Sequence, residues 1–195
     1  MRSVLGVDEA GRGPLAGPVA VGVVAVVERF DVALEFPGVA DSKVLSEKRR
    51  EALFEMLVAR VALGDARFEV AWGSEGDIDT RGIAVVIREA IARGVNHLAE
   101  ASDEGQTFIM LDGALRAPAE YRQRTIIGGD ASVPLISLAS IAAKVSRDRL
   151  MVALAPRYPA YDFARHKGYG TKGHYAALAL HGPCAIHRRS YLHLD

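Results

Sequence analysis

The sequence predicts an α/β fold, a mixed β-sheet with helices on its faces. Three observations carry that prediction. Val19–Val27 (VAVGVVAVV) is dense in β-branched residues and reads as a strand. From residue 66 onward, strand-like and helix-like segments alternate. Pro134 to Leu154 is apolar nearly all round until Lys144, as a helix at the centre of a packed structure would be. The chain has 195 residues, half of them hydrophobic and 25% charged, which predicts one packed domain rather than a disordered chain. Residues from about 155 to 195 read as a small C-terminal extension of helix and loop on that domain.

The elements follow in order. Ser3 to Val7 is a short apolar strand that runs into the turn-rich Ala10-Gly11-Arg12-Gly13-Pro14. It and Val19–Val27 form an early antiparallel set with Arg67 to Trp72, which alternates as a strand does. Val44 to Gly64 is a helix with Ser46 as N-cap and Leu53, Leu57 and Val61 at helical spacing. Ile83, Ile87, Ile91, Val95 and Leu98 share one face of a second helix. Thr107 to Leu111 is a short buried-type strand ending at Asp112-Gly113, and Arg124 to Ile127 is another short strand ending at Gly128-Gly129-Asp130. After the long helix comes a Gly-rich turn at Lys167-Gly168-Tyr169-Gly170, then a helix over Lys172 to His181 that stops at Gly182-Pro183.

Composition excludes several function classes. One cysteine, Cys184, permits neither an internal disulfide nor a thiolate-rich zinc site, and a reducing, cytoplasmic location is expected. The longest apolar stretch, Pro14 to Val27, is shorter than the roughly 18 residues of a membrane span and is broken by Gly17, Pro18 and Gly22. Asp8 and Glu9 fall where a secretory signal would be apolar. Formal net charge is zero, yet Lys144 to Asp195 holds nine Lys and Arg against three acids, and five of the six histidines. A basic third beside an acidic remainder suits a polyanion held near a site that needs carboxylates; an unevenly charged, solvated surface has the same composition.

Asp8-Glu9, Asp112 and Asp130 each stand at or just past the end of a predicted strand. In open α/β sheets those ends frame the ligand crevice. Taken singly, each is as well explained as a turn former. Taken together, they form an oxygen-only donor set suited to Mg²⁺ or Mn²⁺, and two such ions would serve phosphodiester hydrolysis. Asp148 competes as a fourth ligand, but its place between Arg147 and Arg149 suggests a surface ion pair. Gly11, Gly13 and Gly17 give G-x-G-x-x-x-G after a strand. A dinucleotide fingerprint would open a helix there, whereas a strand follows. The alternatives are an irregular turn whose backbone approaches a ligand, with Arg12 adding charge, or a plain hairpin turn.

These residues carry a family resemblance. Gly6-Val7-Asp8-Glu9-Ala10-Gly11-Arg12-Gly13-Pro14-Leu15-Ala16-Gly17-Pro18-Val19 closely resembles the opening motif of bacterial ribonuclease HII. Asp41-Ser42-Lys43-x-Leu45, Leu111-Asp112-Gly113, Gly129-Asp130, Ala139 to Arg149, His166 to Thr171 and Gly182 to Tyr191 resemble its later blocks, in order along nearly the whole chain. The resemblance implies a ribonuclease H-like fold and cleavage of RNA joined to DNA in a duplex, 5′ to a ribonucleotide, leaving 3′-hydroxyl and 5′-phosphate ends. It implies Asp8, Glu9, Asp112 and Asp130 as catalytic metal ligands for two Mn²⁺ or Mg²⁺ ions. Gly11, Arg12 and Gly13 would read the ribose 2′-hydroxyl, and Tyr169 would stack on the neighbouring sugar. Ser42, Lys43, Ser140 and Lys144 are candidate phosphate contacts. RNA–DNA hybrid and ribonucleotide-containing duplex DNA are the expected partners. No membrane, obligate protein partner or partner-binding tail is expected, and a monomer is.

The chain departs from the family pattern at three places. Gly128 stands where a lysine before Gly-Asp is expected, Val44 replaces a second lysine, and Ile78 to Ile83 matches only loosely. Two rival readings remain, a ribonuclease H-like nuclease that needs several ribonucleotides and a non-catalytic nucleotide-binding module. The C-terminal histidines read as structural or phosphate-facing, and Cys184 and Trp72 as core packing.

Overall fold

A computed structural model describes residues 2–39, 45–99 and 107–192. Five strands form one sheet in the order β3-β2-β1-β4-β5. They are β1 (Ser3–Ala10), β2 (Val19–Val27), β3 (Ala66–Gly73), β4 (Thr107–Asp112) and β5 (Arg122–Ile126). The first three pair antiparallel, while β1–β4 and β4–β5 pair parallel. The mixed sheet expected from the sequence is therefore present, antiparallel in its early strands and parallel in its later ones.

Alternation along the strands supplies a separate core to each face. Leu5, Val7, Val21, Val23, Ile109 and Leu111 pack against α4 (Ile83–Ala99), whose Ile87, Ile91, Val95 and Leu98 are buried as the periodicity predicts. Val24, Val26, Leu135, Leu138 and Ile141 join the other face to α1 (Val32–Glu35), α2 (Glu47–Ala62) and α6 (Pro134–Leu154). Ser46 caps α2, its side chain accepting from Arg49 N. Four short helices have no sequence counterpart: α1, α3 (Glu75–Arg81), α5 (Gly129–Ser132) and α7 (Phe163–His166). None is long enough to show a helical repeat. The helix expected over Lys172 to His181 is present as α8.

Several boundaries and placements differ from expectation. β1 continues to Ala10, because Asp8, Glu9 and Ala10 pair with Gly22, Val21 and Ala20. β5 runs from Arg122 to Ile126 rather than from Arg124 to Ile127, and Ile127 lies past its end, 94% exposed. Trp72 is not core. It sits on the edge strand β3, is 37% exposed, and its carbonyl accepts from Arg93 Nη2 at 2.6 Å. Cys184 packs with Leu15, Phe163 and Leu178, as expected for a core contact.

Helix α6 lies directly on β1 and β2 because both strands carry a glycine beneath it. A Cβ on Gly6 would collide with the Leu135 carbonyl, and one on Gly22 with the Ala139 carbonyl. Gly22 is the register partner of Asp8, so this close approach also sets the distance between α6 and the first acid. Gly22→Ala is expected to destabilise the fold by about 1–3 kcal/mol through overpacking. Gly76→Ala, where a Cβ meets nothing within 4 Å, is the control. Thermal melts of the two variants check this, and equal melting temperatures would contradict it.

Candidate active site

The acidic residues converge at one end of the sheet. The parallel register pairs Val7 with Leu111, so the acids that follow them, Asp8 and Asp112, sit side by side on adjacent strands. Asp130 comes from α5 rather than from a strand end, and its amide donates to Asp112 Oδ1 at 3.2 Å. Asp8, Glu9, Asp112 and Asp130 line a cleft of about 360 Å³ with Gly11, Arg50, Ser140, Lys144 and Tyr169.

The electrostatics of this cleft favour a cation. Asp8 is buried and its carboxyl is pushed up to about 8, first by burial, then by the neighbouring Glu9 charge and more weakly by Asp112; a Ser140 hydrogen bond works against these. Glu9 Oε1 accepts from Arg12 Nε, while Oε2 is buried with no hydrogen-bond partner among the described residues. An all-oxygen donor set with an orphaned buried carboxylate oxygen fits Mg²⁺ or Mn²⁺. The Arg12 guanidinium supplies part of the missing positive charge.

The turn after β1 is held from behind. Arg147 on α6 is fully buried and donates through Nε to Pro18 O at 2.9 Å, Nη2 to Ala16 O at 3.0 Å and Nη1 to Lys167 O at 3.0 Å. Arg188 is also fully buried and donates to the carbonyls of Gly17 (2.9 and 2.8 Å), Arg12 (2.9 Å) and Gly11 (2.7 Å). Gly11 has φ +95°, and a Cβ there would run into the Arg147 side chain, so only glycine admits this arginine. Backbone pairing adds to the hold: Leu15 N donates to Gly168 O and Gly17 N to Ile186 O. With its carbonyls taken by the arginines, the turn leaves Arg12 and Gly13 exposed, and nothing lies within 4 Å of a Cβ built on Gly13.

Tyr169 is 40% exposed at the cleft, with Lys144 Nζ 5.3 Å and the Arg147 guanidinium 5.8 Å from its ring centre. Asp148 is not in a surface pair with its sequence neighbours. It is buried and accepts from Lys144 Nζ at 2.8 Å, because four residues is one helical turn whereas adjacent residues point apart. Asp148 therefore positions Lys144 and lies outside the acidic cluster. Ser42 and Lys43 lie outside the described residues. The structure thus brings together Asp8, Glu9, Asp112, Asp130, Gly11, Ser140, Lys144 and Tyr169 in the cleft, with Arg12 paired to Glu9 at its edge and Gly13 next to it on the exposed turn. Sequence reasoning missed Arg147 and Arg188 as supports of the turn, and Arg50 in the cleft wall.

The raised Asp8 carboxyl predicts how stability depends on pH when divalent ions are chelated. Its folded value of about 8 lies above its ordinary 3.8, so between these values the folded state holds the proton more tightly and stability falls as pH rises. His187 is pushed from 6.5 down to about 4, mainly by burial, which makes stability rise with pH, but that rise is complete near pH 6.5. In chelator, melting temperature is expected to fall from pH 6.5 to 8. Asp8→Asn should flatten the fall and melt several degrees higher at pH 8. Parallel pH curves for wild type and variant would contradict the buried-charge account.

Comparison with known proteins identifies the family. The sequence profile of the family described as Ribonuclease HII matches residues 5–194. The chain is 46% identical over 188 residues to the ribonuclease HII of Burkholderia ambifaria, covering 96% of this chain and 81% of that protein. It is 47% identical over 188 residues to that of Burkholderia lata, covering 96% and 82%. Among solved structures it superimposes on ribonuclease H2 of Pyrococcus horikoshii with a TM-score of 0.75, at 28% identity, over 96% of this chain and 93% of that one. It superimposes on the ribonuclease HII of Archaeoglobus fulgidus, solved in complex with PCNA, with a TM-score of 0.77, at 26% identity, over 98% and 96%. The chain belongs to the ribonuclease HII family and is a type 2 ribonuclease H hydrolase with the ribonuclease H fold.

Proposed function

We propose that this endonuclease hydrolyses the RNA strand of RNA–DNA hybrids and cuts 5′ to single ribonucleotides embedded in duplex DNA, leaving 3′-hydroxyl and 5′-phosphate ends. The observation that carries the proposal is the meeting of four carboxylates, Tyr169 and Gly11, the first residue of the clamped turn, in one cleft. Asp8, Glu9, Asp112 and Asp130 would hold two divalent ions, Mg²⁺ or Mn²⁺. The chemistry such ions supply is activation of a water and neutralisation of charge on the leaving 3′-oxygen. The chain's own residues do the rest. Ser140 hydrogen-bonds Asp8 and fixes its orientation. Gly11, Arg12 and Gly13 offer backbone groups to a ribose 2′-hydroxyl, the one group that distinguishes RNA from DNA at a single sugar. Tyr169 offers a flat face to the neighbouring sugar and a hydroxyl to the same 2′ oxygen. Lys144 and Ser140, with Ser42 and Lys43 from the sequence, are proposed phosphate contacts. Residues 155–192 complete the cleft, since Arg188 and Gly168 hold the turn from that side.

The direct test uses an end-labelled DNA duplex with one ribonucleotide, in Mg²⁺, in Mn²⁺ and in chelator. One cut 5′ to the ribonucleotide, abolished by chelator, is expected. Asp112→Asn should lower the rate more than tenfold. Cutting only of long hybrids would replace the proposal with a nuclease that needs several ribonucleotides, and no cutting of either substrate by folded protein would end the catalytic reading. Gly13→Ala tests the turn separately. A Cβ there meets no protein atom, so melting should not change. The methyl would occupy the sugar's space, and KM for the single-ribonucleotide duplex should rise about tenfold, about 1.4 kcal/mol. An unchanged KM would remove Gly13 from the sugar contact.

A further inference from the structure

Behind Tyr169 lies a buried histidine pair with no part in the chemistry above. His174 on α8 and His187 in the following segment are 0% and 2% exposed. Their hydrogen bonds fix both tautomers. The Cys184 amide donates to His187 Nδ1 at 2.9 Å, so the His187 proton is on Nε2. That nitrogen lies 2.9 Å from His174 Nε2, which must accept, so the His174 proton is on Nδ1. His174 Nδ1 lies 2.9 Å from the Tyr169 carbonyl and donates to it. An unbroken chain of donors therefore runs from Cys184 through both rings to the backbone of the cleft tyrosine.

The groups around the pair keep it neutral and in place. The His166 ring stacks on His174 with centres 4.4 Å apart, and its Nδ1 accepts from Gly168 N at 3.2 Å. Tyr161 and Phe163 pack against His187 at 4.9 and 5.7 Å. Cys184 Sγ lies 3.1 Å from His187 Nδ1, and Arg189 is the nearby cation. Burial lowers the proton affinity of both rings, the neighbouring His166 lowers it further in each, and His174 does the same to His187. His181, at the C-terminal end of α8, packs against Tyr161 with ring centres 6.3 Å apart. Among the described residues no carboxylate lies within ion-pair distance of either ring.

We propose that His174 and His187 are positioning residues for substrate binding: their fixed-tautomer relay holds the Tyr169 backbone so that its exposed ring presents to the sugar. This rests on the reading of Tyr169 as a substrate contact. The ring is faced by the Lys144 ammonium and the Arg147 guanidinium, and its position follows its backbone. That backbone is tied by Tyr169 N to His166 O, by Thr171 N to Tyr169 O and by the His174 bond.

Two substitutions at one position separate the halves of the relay. His174→Asn places an amide NH₂ near the δ nitrogen, where it can still donate to the Tyr169 carbonyl, and gives up His187. His174→Gln places its amide oxygen near the ε nitrogen, where it can still accept from His187, and gives up Tyr169. Steady-state kinetics on the single-ribonucleotide duplex, with thermal melts of both variants, provide the readout. The Gln variant is expected to raise KM about tenfold with kcat within threefold of wild type. The Asn variant should stay within threefold in KM, although both lose melting temperature. Equal KM values for the two variants would overturn the relay, since a merely structural pair would treat them alike. Should neither variant fold, His187→Asn keeps the Cys184 bond but no longer fixes the tautomer of the His174 ring, whose donation to Tyr169, unlike that of an amide NH₂, depends on it; KM should then rise, and an unchanged KM there would also overturn the proposal. Tyr169→Ala separates the two claims. If it raises KM while His174→Gln does not, only the relay fails; if it leaves KM unchanged, the reading of Tyr169 fails and the relay with it.

Discussion

Two buried guanidinium groups, Arg147 and Arg188, hold the cleft together. Each spends its fork on backbone carbonyls of the turn between β1 and β2. Burying a cation is costly, and here no carboxylate within ion-pair distance offsets it among the described residues. The cost shows in Arg147, whose proton affinity drops to about 10, chiefly from burial and then from the nearby Arg188 charge. Planar, delocalised guanidinium tolerates this because several of its donors point at acceptors at once. A lysine at either place would carry the same charge and lose the geometry.

The second constraint is the unbroken length of α6, 21 residues. Ser140, Lys144, Arg147 and Met151 recur at intervals of three and four residues, so one helix face serves the carboxylates, the cleft wall, the turn and the C-terminal cluster. Gly6 and Gly22 let that face rest on the sheet backbone. Displacing the helix by a methyl group would move Ser140 from Asp8 and Arg147 from the turn together. The family motif at Asp8–Glu9 and the helix motif 130 residues later are thus parts of one packing arrangement.

The sheet and the long helices were legible in the sequence because their signals are periodic. The β-branched run of β2 and the isoleucine face of α4 match the structure to within a residue. The acids and the Gly-Arg-Gly turn were legible because unusual residue types cluster there. Arg147 and Arg188 were not. An arginine on a helix flanked by Asp148 and Arg149 has the pattern of a solvated face, and its burial depends on a turn more than 120 residues away. Asp148 was misplaced for the same reason. Trp72 was assigned to the core by its type, although edge position decides its exposure. The histidines read only as structural or phosphate-facing, since nothing in their spacing reveals that two of them share a proton donor chain.

The central claim is that the arginine clamp shapes the turn that distinguishes one ribose from deoxyribose. It is tested most directly by measuring affinity for a duplex with one ribonucleotide and for the same duplex in all-DNA form, with Ca²⁺ in place of Mg²⁺ to prevent turnover, for wild type and Arg188→Lys. The account predicts that wild type prefers the ribonucleotide duplex and that the variant, with the charge kept and the fork lost, binds both alike at the all-DNA affinity. Retention of the preference by a folded Arg188→Lys variant, or an equal loss of affinity for both duplexes, would contradict it.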